Sequence, residues 1–164
     1  MADRVLNVLF LCTGNSARSI LAEATLNQLG KGRFRAYSAG SKPAGTVNPH
    51  ALAQLQRAGF STEGLASKPW SEFEKPDAPV MDFVITVCDA AAGEPCPTWP
   101  GHPITAHWGV PDPSRAEGGE EEKVNAFREA FFTLQRRIEL FVSLPFASLD
   151  RLAIGDQMSD IAKV

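Results

Sequence analysis

The segment Cys12-Thr13-Gly14-Asn15-Ser16-Ala17-Arg18-Ser19 places a thiol, five loop-forming residues and a guanidinium within one short stretch of chain. A loop of this size can curl until its backbone N–H groups point inward, which makes an anion nest reinforced by the amino end of a following helix. Gly14 and Asn15 tolerate the positive φ that such curling needs. Arg18 adds a planar fork of donors matched to two oxygens of a tetrahedral oxyanion. A sulfur at the floor of the nest, Cys12, shares this positive field. Such surroundings lower a thiol pKa from about 8.5 to roughly 3.5–7.5, giving a nucleophilic thiolate at neutral pH. The hydroxyl of Ser16 or Ser19 is available to donate to it. The alternative is an inert thiol at a strand end. Convergence of Cys, Gly, Asn, two Ser and Arg on one turn weighs against that, and the glycine patterns of nucleotide loops are absent.

Two further thiols and one acid have spacing that invites chemistry. One thiol cannot deliver two electrons, whereas a second thiol can close a disulfide and do so. Cys88 and Cys96 are candidates, separated by a small, polar segment that ends in Pro95. With His102 and His107 they also offer zinc-ligand chemistry. Structural zinc prefers paired cysteines about two to four residues apart, so no metal is expected here. A third reading buries both thiols as small hydrophobes. Asp112 stands between Pro111 and Pro113, either as a turn former or as a general acid. An acid that must donate its proton calls for a partly desolvated site and a raised pKa.

These residues need elements to hold them. Residues 5–11 (VLNVLFL) form an apolar run broken only by Asn7, as expected of a strand buried on both faces of a parallel sheet. Apolar or small residues at Ala17, Ile20, Leu21, Ala24 and Leu29 then mark an amphipathic helix ending near Gly30. Residues 34–39 read as a second strand, 49–58 as a helix closed by Gly59, and 83–87 as a third strand. Trp70 and Phe73 anchor a short helix between them. A Pro-rich loop, 90–103, leads to a short strand at 104–108. Val124, Phe127, Phe131, Leu134, Ile138 and Phe141 repeat at three- and four-residue spacing. That helix has Glu120, Glu121 and Glu122 at its amino end and is stopped by Pro145.

Alternating strands and helices predict a three-layer α/β sandwich with a four-stranded parallel sheet, whose ligands sit beyond the carboxyl ends of the strands. Cys12, Cys88 and Asp112 each follow a predicted strand, so they are expected at one edge. Residues 1–145 read as a single catalytic domain and 146–164 as a tail with weak helical patterning. The 164 residues carry 16 basic and 19 acidic side chains, a net charge of −3. No global positive field exists to hold a nucleic acid or an anionic membrane surface. No apolar run spans a membrane, residues 1–11 lack the features of a signal peptide, and three cysteines do not make a disulfide scaffold. A cytoplasmic protein is expected.

The Cys12-to-Ser19 segment directly after the first strand resembles the C-x5-R-S signature of the low-molecular-weight protein tyrosine phosphatase superfamily. The resemblance implies Cys12 as nucleophile, the residues Thr13, Gly14, Asn15, Ser16, Ala17, Arg18 and Ser19 around the oxyanion, and Asp112 as general acid. Further motifs are similar to the thioredoxin-coupled arsenate reductase branch: Ser38-Ala39-Gly40-Ser41, Asn48-Pro49, Ser67-Lys68, Glu72-Phe73, Val87-Cys88, Cys96-Pro97 and His107-Trp108-Gly109. That similarity implies an arsenate or phosphate oxyanion as ligand and a relay in which Cys88 attacks Cys12 and Cys96 attacks Cys88. No bound cofactor is implied. Thioredoxin, or glutathione with glutaredoxin, would be the external thiol reductant. The alternative is a phosphatase that hydrolyses phosphomonoesters through a phosphocysteine. Tyr37 is the only tyrosine, so Trp108 is the nearest candidate for the aromatic wall such enzymes place beside their acid, although Trp70, Trp99 and Trp108 are expected to be packing residues first. A third reading is a binding module for an oxyanion or a partner on the same fold.

Overall fold

The computed structural model describes residues 4–88 and 99–164. Four parallel strands form one sheet in the order β2-β1-β3-β4: β1 (Leu6–Leu11), β2 (Phe34–Ala39), β3 (Phe83–Thr86) and β4 (Ile104–His107). β1 is central, pairing with β2 through Leu6↔Phe34 to Leu11↔Ala39 and with β3 through Val8↔Phe83 to Leu11↔Thr86. Its apolar run is therefore buried on both faces. Asn7, the interruption in that run, lies beyond the pairing with β3. There its side chain donates to Val80 O and its backbone N–H to the Asp82 carboxylate.

Helices α1 (Arg18–Leu29), α2 (Pro49–Arg57), α3 (Glu120–Val142) and α4 (Arg151–Ile161) share one large core with the Val8, Phe10, Ala36 and Ile85 side of the sheet. The other side, carrying Leu9, Leu11, Ala39 and Val84, packs against Phe73, Met81 and Trp99 in a thinner layer. A single 3-10 turn, Trp70–Phe73, stands where a short helix was expected. α1 departs from the expected one-sided stripe. Ser19 through Leu26 are all buried, because the helix lies among the sheet, α2 and α3.

α3 begins where the acidic run predicts, with the Gly119 N–H bonded to the Glu122 carboxylate at 2.9 Å. The weakly patterned tail holds α4. Asp150 caps it by accepting from the Ala153 N–H, and Ile154, Met158 and Ile161 join the main core. Among the described residues no helix is long and apolar enough to cross a membrane.

The order of the strands decides where a ligand can sit. From β1 the chain crosses outward to β2, then returns past β1 to β3, so the direction of travel reverses between β1 and β3. In an open parallel sheet the crevice for ligands lies beyond the carboxyl ends at that reversal. Cys12 follows the last residue of β1, and Cys88 lies two residues beyond β3 on the neighbouring strand.

Candidate active site

At the end of β1 the Cys12 N–H still donates to Ala39 O of β2, at 3.2 Å, after which the chain leaves the sheet and curls. Asn15 takes the left-handed conformation, with φ of 45°, whereas Gly14 does not. Of the two residues able to take the turn's positive φ, Asn15 takes it. Asn15 is fully buried and every polar group of its amide is engaged. Its Nδ2 donates to Ser19 Oγ and to Ser38 Oγ, both at 2.9 Å, and its Oδ1 accepts from the Lys68 N–H at 2.8 Å. A short polar side chain with these partners stabilises a backbone conformation that most residues avoid.

Behind Asn15 the network continues inward. The Ser38 hydroxyl donates to the carboxylate of Glu23, an acid on the buried face of α1. Burial pushes the Glu23 carboxyl above its ordinary value, against the opposing pull of the Ser38 hydrogen bond and the Lys68 charge. Sequence reading assigned no role to Glu23. The available signal was its place four residues after Ser19, inside a helix between Ala22 and Ala24.

The two sulfurs meet beneath the loop. Cys12 is 5% exposed and Cys88 1% exposed. The Thr13 N–H points to Cys88 Sγ at 3.3 Å and the Thr13 hydroxyl lies 3.7 Å from it. The thiols of Cys12 and Cys88 hydrogen-bond to each other, and this contact, followed by burial, pushes the Cys12 thiol up; Arg18 and the Gly14 N–H pull it down. The expected lowering of Cys12 is therefore corrected. The loop's positive charge acts on the thiol, but the neighbouring Cys88 and burial outweigh it. Ser19, one of the two hydroxyls considered for that sulfur, accepts from Asn15.

Arg18 opens α1 and turns back over the site. Its Nη1 donates to Val110 O at 2.8 Å, and its Nη2 lies 3.6 Å from the Asp112 carboxylate. Asp112 combines the two readings of its sequence position. It caps the turn Pro113–Arg115, accepting from the Ser114 N–H at 2.9 Å and the Ser114 hydroxyl at 2.7 Å, and it also faces Arg18. Burial is the largest single influence on its carboxyl and acts upward. It is outweighed by the two Ser114 hydrogen bonds and by the charges of Arg18 and Arg115, so the net direction is below the ordinary carboxylate value. The expected raised pKa is thus reversed.

Trp108 does not wall the site. It is fully buried and its indole N–H donates to Met158 O at 3.0 Å, tying α4 to the end of β4. Tyr37 packs on Phe73, on the thinner side of the sheet. His107 Nδ1 lies 2.7 Å from the Thr86 hydroxyl, and His102 offers its carbonyl to Arg151. Among the described residues no group of three or more His, Cys, Asp and Glu side chains could hold a metal ion. Cys96 falls outside the described residues.

The arrangement can hold a tetrahedral oxyanion between Arg18 and the curled backbone, over a sulfur that has a second sulfur as neighbour. A family model described as low molecular weight phosphotyrosine protein phosphatase matches residues 7–152. An arsenate reductase of Bacillus licheniformis is 38% identical over 135 residues, covering 82% of this chain and 93% of its own. Among solved structures, an arsenate reductase in its phosphate-binding state is 27% identical with a TM-score of 0.66, covering 85% of this chain and 98% of that one. A thioredoxin-dependent arsenate reductase of Corynebacterium glutamicum is also 27% identical, with a TM-score of 0.56, over 85% of this chain and 65% of that one. With its Cys12-to-Ser19 loop at the end of β1, its β2-β1-β3-β4 sheet and this span of similarity, the chain belongs to the low molecular weight phosphotyrosine protein phosphatase family.

Proposed function

We propose that the protein reduces arsenate to arsenite by carrying the oxidation through its own sulfurs. The observation that carries this reading is the placement of Cys88 beneath the oxyanion loop, its Sγ 3.3 Å from the N–H of Thr13, the residue after Cys12, with both thiols buried. A hydrolase needs water at this stage, whereas a reductase needs a second thiol. The arsenate reductases named above support the same substrate.

In the first step the Cys12 thiol passes its proton to an oxygen of the arriving arsenate dianion, and its sulfur attacks arsenic. A sulfur–arsenic bond forms, an arsenic–oxygen bond breaks, and Asp112 protonates the departing oxygen, which leaves as water. Arg18 and the amides of residues 13–19 hold the remaining oxygens. Asp112 must be protonated for this. Arriving anion engages Arg18 and adds negative charge beside the carboxyl, and both effects raise its depressed pKa. The Cys88 thiolate then attacks Cys12 Sγ. A disulfide forms, the electron pair of the sulfur–arsenic bond stays on arsenic, and arsenic(V) becomes arsenic(III).

Cys88 is 1% exposed, so no external protein reaches it directly. Cys96 meets that need. It attacks Cys88, frees Cys12 and leaves a Cys88–Cys96 disulfide for thioredoxin or glutaredoxin to reduce. Reduced resting thiols suit a cytoplasmic protein. Hydrolysis of a phosphomonoester through a phosphocysteine is the second reading, favoured by the family model and by Asp112 facing Arg18.

The test is arsenate-dependent NADPH consumption with thioredoxin and thioredoxin reductase, run against glutathione with glutaredoxin. Wild type is expected to turn over with one of the two systems. Cys88→Ser is expected to lose multiple turnover of arsenate yet retain slow hydrolysis of an aryl phosphate, and Cys12→Ser to lose both. Equal arsenate turnover by wild type and Cys88→Ser would contradict the relay.

A further inference from the structure

The curled loop displays its N–H groups inward only if its carbonyls are held outward, and two segments of the chain do this. The N–H groups of Lys42, Ala44 and Asn48 donate to the carbonyls of Thr13, Gly14 and Ser16 at 3.0, 2.9 and 2.8 Å. The Ser67 hydroxyl donates to Gly14 O at 3.2 Å and accepts from the Gly45 N–H at 3.1 Å, so it joins both segments to the loop. Gly40 is the point where they cross. Its N–H donates to Lys68 O at 3.0 Å, and its carbonyl accepts from the Trp70 N–H at 2.9 Å.

Gly40 is buried and its φ lies outside the left-handed region, so conformational freedom does not explain a glycine there. Space does. A Cβ at this position would stand 2.4 Å from Thr13 O, 2.7 Å from Cys12 O and 3.1 Å from the Asn15 Cβ. Two of these neighbours are backbone carbonyls of the nucleophile loop. An alanine could be accommodated only by moving the peptide planes that carry the Thr13 and Gly14 N–H groups.

We infer that Gly40 and Ser67 are positioning residues of the oxyanion cup, setting its affinity for a tetrahedral oxyanion through the carbonyls of Cys12, Thr13 and Gly14. This deepens the proposed function and rests on its oxyanion reading. Neither residue needs to touch the anion. Their effect is on the direction of the N–H groups, and a displacement near 1 Å in a catalytic geometry costs about a hundredfold in rate.

The experiment measures protection of Cys12 from iodoacetamide by inorganic phosphate, read by mass spectrometry of the Cys12 peptide, together with kcat/KM and Tm. Phosphate is expected to protect the wild type. Gly40→Ala is expected to need at least about tenfold more phosphate and to lose roughly a hundredfold in kcat/KM. Ser67→Ala is expected to weaken protection roughly threefold to tenfold, the worth of one hydrogen bond, and Ser67→Thr to restore it. The Ser67 pair decides the matter if Gly40→Ala does not fold. Wild-type protection in Ser67→Ala, or in a folded Gly40→Ala whose Tm alone has dropped, would overturn the positioning role while leaving the oxyanion reading standing. Absence of protection in the wild type would overturn both.

Discussion

The backbone N–H of Thr13, the first amide after Cys12, is directed at Cys88 Sγ, 3.3 Å away, two residues beyond the end of β3. One loop thus serves two sulfurs. Gly14 supplies an N–H to Cys12 while Thr13 supplies one to Cys88. A pure hydrolase has no use for the second of these bonds. In the proposed relay it stabilises the thiolate that must attack Cys12.

The contact between the thiols is the leading reason that Cys12 holds its proton. Removing the second sulfur should therefore free the first. In Cys88→Ala, Cys12 alkylation is expected to begin at lower pH than in the wild type, as Arg18 and the Gly14 N–H are then opposed by burial alone. Rate against pH, with ultraviolet absorbance of the thiolate as a second readout, checks this. An unchanged profile would mean that the two sulfurs do not share a proton.

Arg18→Lys keeps the charge and loses the fork that now reaches Val110 O and Asp112 together. We expect kcat/KM for arsenate and for an aryl phosphate to fall by roughly a hundredfold to a thousandfold, the cost of one missing oxyanion donor. Steady-state kinetics on both substrates test it, and a loss confined to one would separate their binding modes.

Asp112→Asn removes the proton donor and is expected to slow the first chemical step by roughly a hundredfold to ten-thousandfold. It also has a stability signature. The folded pKa of Asp112 is depressed, so its contribution is present above the ordinary carboxylate pKa and is lost as pH falls through the folded value. The variant should show a shallower loss of stability on the acid side than the wild type. Denaturant midpoints over a pH series measure the difference.

Glu23 has the opposite sign. Burial raises its folded pKa, so its contribution to stability is largest below the ordinary carboxylate pKa and declines as pH rises through the folded value. Glu23→Gln keeps a hydrogen-bonding group opposite Ser38 and cannot ionise. Its stability is expected to stay flat across that window while the wild type loses ground, as the same denaturant series would record.

Much of this was legible in the sequence because it depends on local chemistry. An apolar strand length, a thiol, a five-residue loop and Arg18 specify a cup at a strand end. The three- and four-residue spacing of the apolar residues from Val124 to Phe141 specifies the helix behind it. What was illegible depends on groups distant in sequence. The ionisation of Cys12 is set by Cys88, 76 residues away in the numbering. The depressed pKa of Asp112 owes most to Ser114, two residues on, but it also draws on Arg18, which approaches only after β4 has placed Val110 beside it. α1 looked amphipathic because its sequence mixes Ser19, Glu23 and Thr25 with apolar residues. The polar ones turn inward to partners on other elements or on the helix's own backbone. Trp108 packs as its residue type leads one to expect, but its hydrogen-bond partner on α4 comes from a tail with little pattern of its own.

The central claim is that Cys88 takes the oxidation directly from Cys12. The most direct measurement is a non-reducing peptide map of Cys96→Ser after a single addition of arsenate, with a parallel sample kept without arsenate. The account predicts a Cys12–Cys88 disulfide in the treated sample only, with one arsenite released for each disulfide formed. Two free thiols at these positions after arsenate has been consumed, or arsenite produced with no Cys12–Cys88 linkage, would contradict it.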